Sequence, residues 1–399
     1  MIRQININNF KSIEHLEFEL GSRLNVIIGA NGSGKTNILE AIAFGAAASS
    51  NKLDYEFLGN RIRVTSPEFM RNAFIDNKNK EITLHFKMKT KEISYILIND
   101  KNDYRRWIDL NKENAIAELN TGLKKLFTDK NFVNEIELET GEKQFFQTLN
   151  ELILKDKNSE KDINNIIPLF TNQIIDKEFS NQYLSDFLIY TPELSYLKKF
   201  EEPAQIIPIG IKGEGLFYEL KKLISNTRKS KQINDIKENL HLLDWFEDFD
   251  IPSNLMSNEY KISIKDRFIS SSNFFDQRSS NEGFLFLLFY LFLFTSETTP
   301  HFFAIDNIET GFNPKLCTQL MINLNELSKT YKKQVIITTH NPAILDGIDL
   351  KDDAQRLFIA IRNKNGKTYL ERITEKPQSK IKLSELWMKG YIGGLPDNF

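Results

Sequence analysis

The sequence predicts an α/β protein, on three observations. Runs at residues 24–28, 301–306 and 334–339 are short and mostly apolar, as strands buried in a parallel sheet are. A glycine-rich turn, Gly29-Ala30-Asn31-Gly32-Ser33-Gly34-Lys35-Thr36, follows the first run directly and opens onto a helix-forming stretch at residues 37–48. Near the N-terminus, residues 2–8, 15–20, 80–89 and 93–99 alternate apolar with polar, the period of half-buried antiparallel strands.

The glycine-rich turn carries the most chemistry. Its pattern, a glycine, four residues and then Gly-Lys-Thr, lets consecutive backbone N–H groups face a polyphosphate. Lys35 has the reach to meet the outer phosphates, and the Thr36 hydroxyl suits one position on Mg2+. The helix beginning near Asn37 would aim its N-terminus at the same anion. Upstream, Asn9-Phe10-Lys11-Ser12 separates the first two strands; Lys11 could reach bound phosphate or be a solvated turn residue.

Residues 51–74 are irregular, with Arg61, Arg63 and Arg71 scattered through them. Residues 111–186 read as short polar helices without a sustained heptad, so a compact helical insertion is expected rather than coiled-coil arms. A proline-punctuated connector at 192–208 leads to Gly210-Ile211-Lys212-Gly213-Glu214-Gly215. Its lysine is misplaced for a second phosphate loop and no apolar strand precedes it, so these are expected to be turn glycines. Residues 284–294 are all apolar; a membrane helix needs about 20 residues, so a core helix is expected.

Two further segments complete a candidate site. The strand at 301–306 ends in Asp306, where a carboxylate can hold Mg2+ opposite Thr36. The strand at 334–339 is followed by His340, at the sheet edge where open α/β folds bind ligands. Downstream, residues 356–362 and 368–373 flank a tight Asn363-Lys364-Asn365-Gly366 turn, and residues 383–391 form a short amphipathic helix bearing Trp387 and Tyr391. Trp387 and Tyr391 are expected to pack on the chain's own core.

Composition sets broad limits. The 399 residues carry 52 Lys+Arg and 54 Asp+Glu, a formal charge of −2, so any nucleic-acid groove must be local. One cysteine, Cys317, excludes an intrachain disulfide framework and fits a reducing compartment. No targeting or membrane segment is apparent, and a cytoplasmic location is expected.

The order of phosphate loop, Ser280-Asn281-Glu282-Gly283, Asp-terminated strand and Thr338-Thr339-His340 resembles the ABC-type ATPases. Within these it is most similar to the RecF/SMC-like and OLD-like prokaryotic ATPases termed AAA-type, over residues 1–98 and 276–372. That resemblance implies an ABC-type head with an N-terminal antiparallel β subdomain (1–104), a helical insertion and connector (105–275) and a C-terminal lobe (276–399). It implies ATP and Mg2+ as cofactors, with Gly29, Asn31, Gly32, Ser33, Gly34, Lys35, Thr36 and Asn37 about the phosphates, joined by Lys11. Thr36 and Asp306 would hold the metal, and His340 would sense the γ-phosphate. Two heads would sandwich two nucleotides head to head. Ser280, Asn281 and Gly283 would then donate to the partner's γ-phosphate.

Two departures stand out. Asn281 and Glu282 occupy positions that are usually small, which leaves open which side chain donates. The family's catalytic glutamate normally follows the strand aspartate, but Asn307 stands there, and an amide can orient a water without taking its proton. Either Glu309 supplies the base, or hydrolysis is slow and ATP acts as a clamp. No convincing glutamine for the lobe-coupling loop lies between Ala48 and Lys101.

Members of this group commonly work beside a nuclease or toxin in phage defence, so the resemblance implies a separately encoded effector. Two other readings stay open: a DNA-repair loader binding DNA through the closed dimer, and an ATP-locked scaffold with negligible turnover.

Overall fold

The computed structural model describes residues 1–63, 67–72, 81–99, 106–128, 159–200, 208–226, 228, 230–251, 261–269, 274–375 and 381–395. Three sheets organise them. The first is antiparallel, in the order β2-β1-β4-β5-β6, from β1 (Ile2–Phe10), β2 (Ile13–Glu19), β4 (Ile82–Met88), β5 (Glu92–Ile98) and β6 (Ile108–Asp109). The second runs β13-β12-β3-β11-β10-β7, from β3 (Leu24–Ile28), β7 (Ile189–Tyr190), β10 (Phe302–Ile305), β11 (Gln334–Thr338), β12 (Arg356–Arg362) and β13 (Thr368–Ile373). A ribbon pairs β8 (Phe246–Asp250) with β9 (Ser263–Asp266).

The second sheet is parallel from β12 through β7, and only the β12–β13 hairpin is antiparallel. Its central strands β3, β10 and β11 are buried on both faces, and alternate residues enter two cores. Val26, Ile28, Phe303, Ile305 and Ile337 meet the helices Glu282–Thr295 and Pro314–Tyr331. Ile27, Phe302, Ala304 and Ile336 face the helix Lys35–Ser49, beyond which lies the antiparallel sheet. Gln334, fully buried, ties the two sheets: its Nε2 donates to Ile2 O (2.7 Å) and Gly21 O (2.8 Å), and its Oε1 accepts from Ile2 N (3.1 Å).

Most elements lie where the sequence predicts them. The run at 284–294 is the buried helix Glu282–Thr295, capped by Asn281, whose Oδ1 accepts from Phe284 N at 2.9 Å. Trp387 is buried in the helix Leu383–Met388, whereas Tyr391 beyond it is exposed. The 210–215 segment is a turn, with Gly210 N donating to Glu214 O at 2.9 Å and Gly215 capping the helix Leu216–Ser225.

Residues 105–275 differ from the expected helical insertion. Helices Leu110–Thr128 and Ser159–Phe179 are present, and residues 129–158 lie outside the described residues. The segment also supplies β6 to the first sheet, β7 to the second and the β8–β9 ribbon. Two-residue strands carry no readable period, and Phe246-Glu247-Asp248-Phe249-Asp250 spaces its phenylalanines as a helix would.

Candidate nucleotide site

The strand order brings three chain segments to one sheet edge. β11 lies between β3 and β10, so the turns after all three meet at their C-terminal ends. The phosphate loop leaves β3, Asp306 ends β10, and His340 follows β11. Across this edge Thr36 Oγ1 donates to Asp306 Oδ2 at 3.0 Å. Thr338 Oγ1 donates to Asp306 Oδ1 and accepts from Asn307 N at 3.0 Å, which fixes the carboxylate between two hydroxyls.

The loop is shaped for a tight backbone approach. A Cβ on Gly29 would stand 2.3 Å from Ala360 O, and one on Gly34 would stand 2.1 Å from Thr368 Oγ1. Gly34 (φ 101°) is the N-cap of the helix Lys35–Ser49 and offers no side-chain acceptor, so the first-turn N–H groups remain for an anion. Ser33 Oγ, buried beside them, has no hydrogen-bond partner among the described residues. Lys35 is only 5% exposed, and its Nζ donates to Gly29 O (2.8 Å) and Ala30 O (3.0 Å). Burial lowers its ammonium to about 8, against the opposing charges of Asp306 and Glu309. A cation folded back on its own carbonyls, unfilled helix N–H groups and a hydroxyl–carboxylate pair suit a polyphosphate with its divalent cation.

His340 Nδ1 lies 3.5 Å from Lys35 Nζ, and burial followed by the Lys35 charge lowers the imidazole pKa. Glu309 joins the group: its Oε1 accepts from His340 N at 2.8 Å, while Oε2 is buried with no hydrogen-bond partner among the described residues. Asn307 is exposed and sits at φ 56°, a left-handed conformation that asparagine tolerates better than glutamate. Its amide therefore follows from the backbone as well as from the chemistry.

Other expected site residues stand apart. Lys11 Nζ is 2.7 Å from Glu40 Oε2 and 2.9 Å from Arg63 O, so its charge is directed to a buried carboxylate. Burial opposes ionisation of Glu40, yet hydrogen bonds from Arg63 and the Lys11 charge outweigh it and hold the carboxyl below its ordinary value. Asn37 is likewise engaged, donating to Ser12 Oγ (2.7 Å) and accepting from Arg63 Nη2 (3.2 Å). Asn31 and Gly32 are exposed at the loop tip. Among the described residues, no hydrogen bond joins Ser280–Gly283 to the phosphate loop. Asn281 instead lines a groove with Asn313 and Asn341, the buried Ser280 hydroxyl has no partner among the described residues, and a Cβ on Gly283 would stand 3.3 Å from Gly311 O.

The structure adds residues that the sequence reading passed over. A cavity of about 550 Å³ adjoins Thr36 and Asp306 and is lined by Arg61, Arg63, Thr191 and Glu214. The one visible signal was Glu40, a charge within the apolar run Ile38-Leu39-Glu40-Ala41-Ile42. Thr191, which lines this cavity beside Asp306, directly follows the strand β7.

Comparison with known proteins agrees with this geometry. The family described as "AAA domain, putative AbiEii toxin, Type IV TA system" matches residues 24–346. Structural maintenance of chromosomes protein 6 of Saccharomyces cerevisiae is 51% identical over 51 residues, 13% of this chain and 5% of that protein. DNA replication and repair protein RecF of Lactococcus lactis subsp. cremoris is 30% identical over 90 residues, 23% of this chain and 24% of RecF. The chain thus spans a quarter or less of the length of these relatives. An Smc head, solved bound to the C-winged helix domain of ScpA, superposes with TM-score 0.55 at 12% identity, covering 95% of this chain and 99% of that one; it speaks for the fold alone. Among the described residues, no helix is long and apolar enough to cross a membrane. With well over half its length matched, the chain belongs to this AAA-domain family.

Proposed function

We propose that the chain binds ATP with Mg2+ at this edge and hydrolyses it, and that ATP-dependent head-to-head dimerisation controls a separately encoded effector in antiphage defence. One observation carries the reading. Lys35, Thr36, Asp306, Glu309 and His340 converge at one sheet edge, while Ser280–Gly283 stands outside that group with a buried hydroxyl that has no partner among the described residues. A second copy can supply the missing side of the phosphate shell.

In this reading the loop N–H groups and Lys35 hold the phosphates, and Thr36 and Asp306 hold the metal. Mg2+, when bound, draws charge from the phosphate oxygens. Glu309 accepts a proton from the attacking water, Asn307 orients that water, and neutral His340 faces the γ-phosphate end. Residues 1–104 and 276–399 act as the two lobes, and 105–275 rides between them. The setting is the cytoplasm, where ATP is plentiful. The toxin–antitoxin wording of the family description supports an effector, a nuclease or toxin, as partner.

The DNA-repair reading, with DNA held by the closed dimer, draws on the name of the RecF relative. Phosphate release measured with and without duplex DNA across a salt series separates the two. Strong, salt-sensitive stimulation favours the DNA reading. Hydrolysis indifferent to DNA but altered by the neighbouring operon products favours effector control. Tight ATP binding with no phosphate release favours the locked scaffold.

A further inference from the structure

The buried polar atoms behind the site point to a link that the nucleotide chemistry leaves unused. The hydroxyl of Tyr290 is fully buried and has no hydrogen-bond partner among the described residues. Glu309 Oε2 is in the same condition. Two such groups in one region of a core are costly unless they satisfy one another, because each loses its water on folding.

Their elements are packed together. Tyr290 stands on the helix that begins with the Ser280–Gly283 loop, and its ring centroid lies 6.0 Å from that of Phe312. Phe312 N donates to Glu309 O at 3.1 Å, so the ring contact and the carboxylate belong to one turn. Gly311 in that turn is pressed against Phe286 of the same helix; a Cβ there would stand 2.7 Å from the ring. The negative charge of Glu309 also adds to burial in raising the Tyr290 phenol pKa, which keeps it a neutral donor.

We propose that Tyr290 is a positioning residue for Glu309: its hydroxyl donates, directly or through one ordered water, to Oε2. The inference rests on the reading of Glu309 as the base. It deepens that reading by joining the two nucleotide sites of a dimer. The loop that would meet the partner's nucleotide heads the helix that steadies the carboxylate at the subunit's own nucleotide.

The test is Tyr290→Phe, which keeps the ring against Phe312 and removes only the hydroxyl, made alone and together with Glu309→Gln in the full chain. The expected result is a fall in kcat of about tenfold with KM unchanged, only a small fall in thermal stability, and no further fall in kcat in the Glu309→Gln background. An unchanged kcat in Tyr290→Phe, with turnover lost in Glu309→Gln, overturns the link and spares the base. An equal fall in both backgrounds means that the hydroxyl acts through packing, and also overturns it. Full turnover in Glu309→Gln removes the base and the link together.

Discussion

Replacing Glu309 by glutamine separates its chemistry from its structural role. The side chain makes one hydrogen bond, Oε1 accepting from His340 N at 2.8 Å, and glutamine keeps that acceptor in place. At the other end a buried, unpartnered acceptor becomes a buried amide donor, which costs about 1–3 kcal/mol if it finds no partner. The fold should therefore survive with a small change in melting temperature. The catalytic loss is larger: a positioned base contributes roughly 10²- to 10⁴-fold, or about 3–5 kcal/mol of barrier. Phosphate release at saturating ATP and Mg2+ should fall by that factor while ATP affinity holds, so ATP-bound dimers accumulate. Turnover within about twofold of wild type, with affinity intact, would refute the assignment and leave Glu309 as a tie to His340.

Three further substitutions probe neighbouring parts. Lys35→Ala should abolish ATP binding measured by calorimetry with little loss of fold, since its shortest hydrogen bonds go to two carbonyls of its own loop and only a 3.5 Å contact reaches His340 Nδ1. Thr338→Val removes the hydroxyl that bonds both Asp306 and Asn307 N; a stability loss of about 2 kcal/mol in urea and weaker Mg2+ dependence of turnover are expected. Burial pushes Asp109 up to about 6, and its Oδ2 has no partner. A carboxyl raised above its unfolded value stabilises below the unfolded pKa and loses that contribution as pH rises through about 6. Asp109→Asn should accordingly gain about 1–3 kcal/mol on wild type at pH 7.5 and lose that advantage by about pH 3 in urea titrations.

What could be read from sequence was what local chemistry dictates. The phosphate loop, the runs that became β3, β10 and β11, and the Asn363–Gly366 turn of the β12–β13 hairpin each announce themselves within a few residues. Asp306 and His340 were legible because strand ends in such a sheet converge. The Lys11–Glu40–Arg63 cluster was not, because it joins a β-turn, a helix face and an irregular segment that meet only in the folded chain. Lys11 and Asn37, expected at the phosphates, are drawn away by that same cluster. The left-handed backbone at Asn307 and the Tyr290–Phe312 ring contact likewise depend on packing that no periodicity encodes.

The central claim is that Ser280–Gly283 of one subunit completes the nucleotide site of another, and mixing tests it most directly. Lys35→Ala and Gly283→Asp should each be inactive alone, the first unable to bind ATP and the second binding it without turnover. Combined in equal amounts with ATP and Mg2+, they should recover about a quarter of wild-type phosphate release, because half the randomly formed dimers are mixed and each of those holds one complete site of two. A mixture as inactive as its components, in samples shown to exchange subunits, would contradict the account.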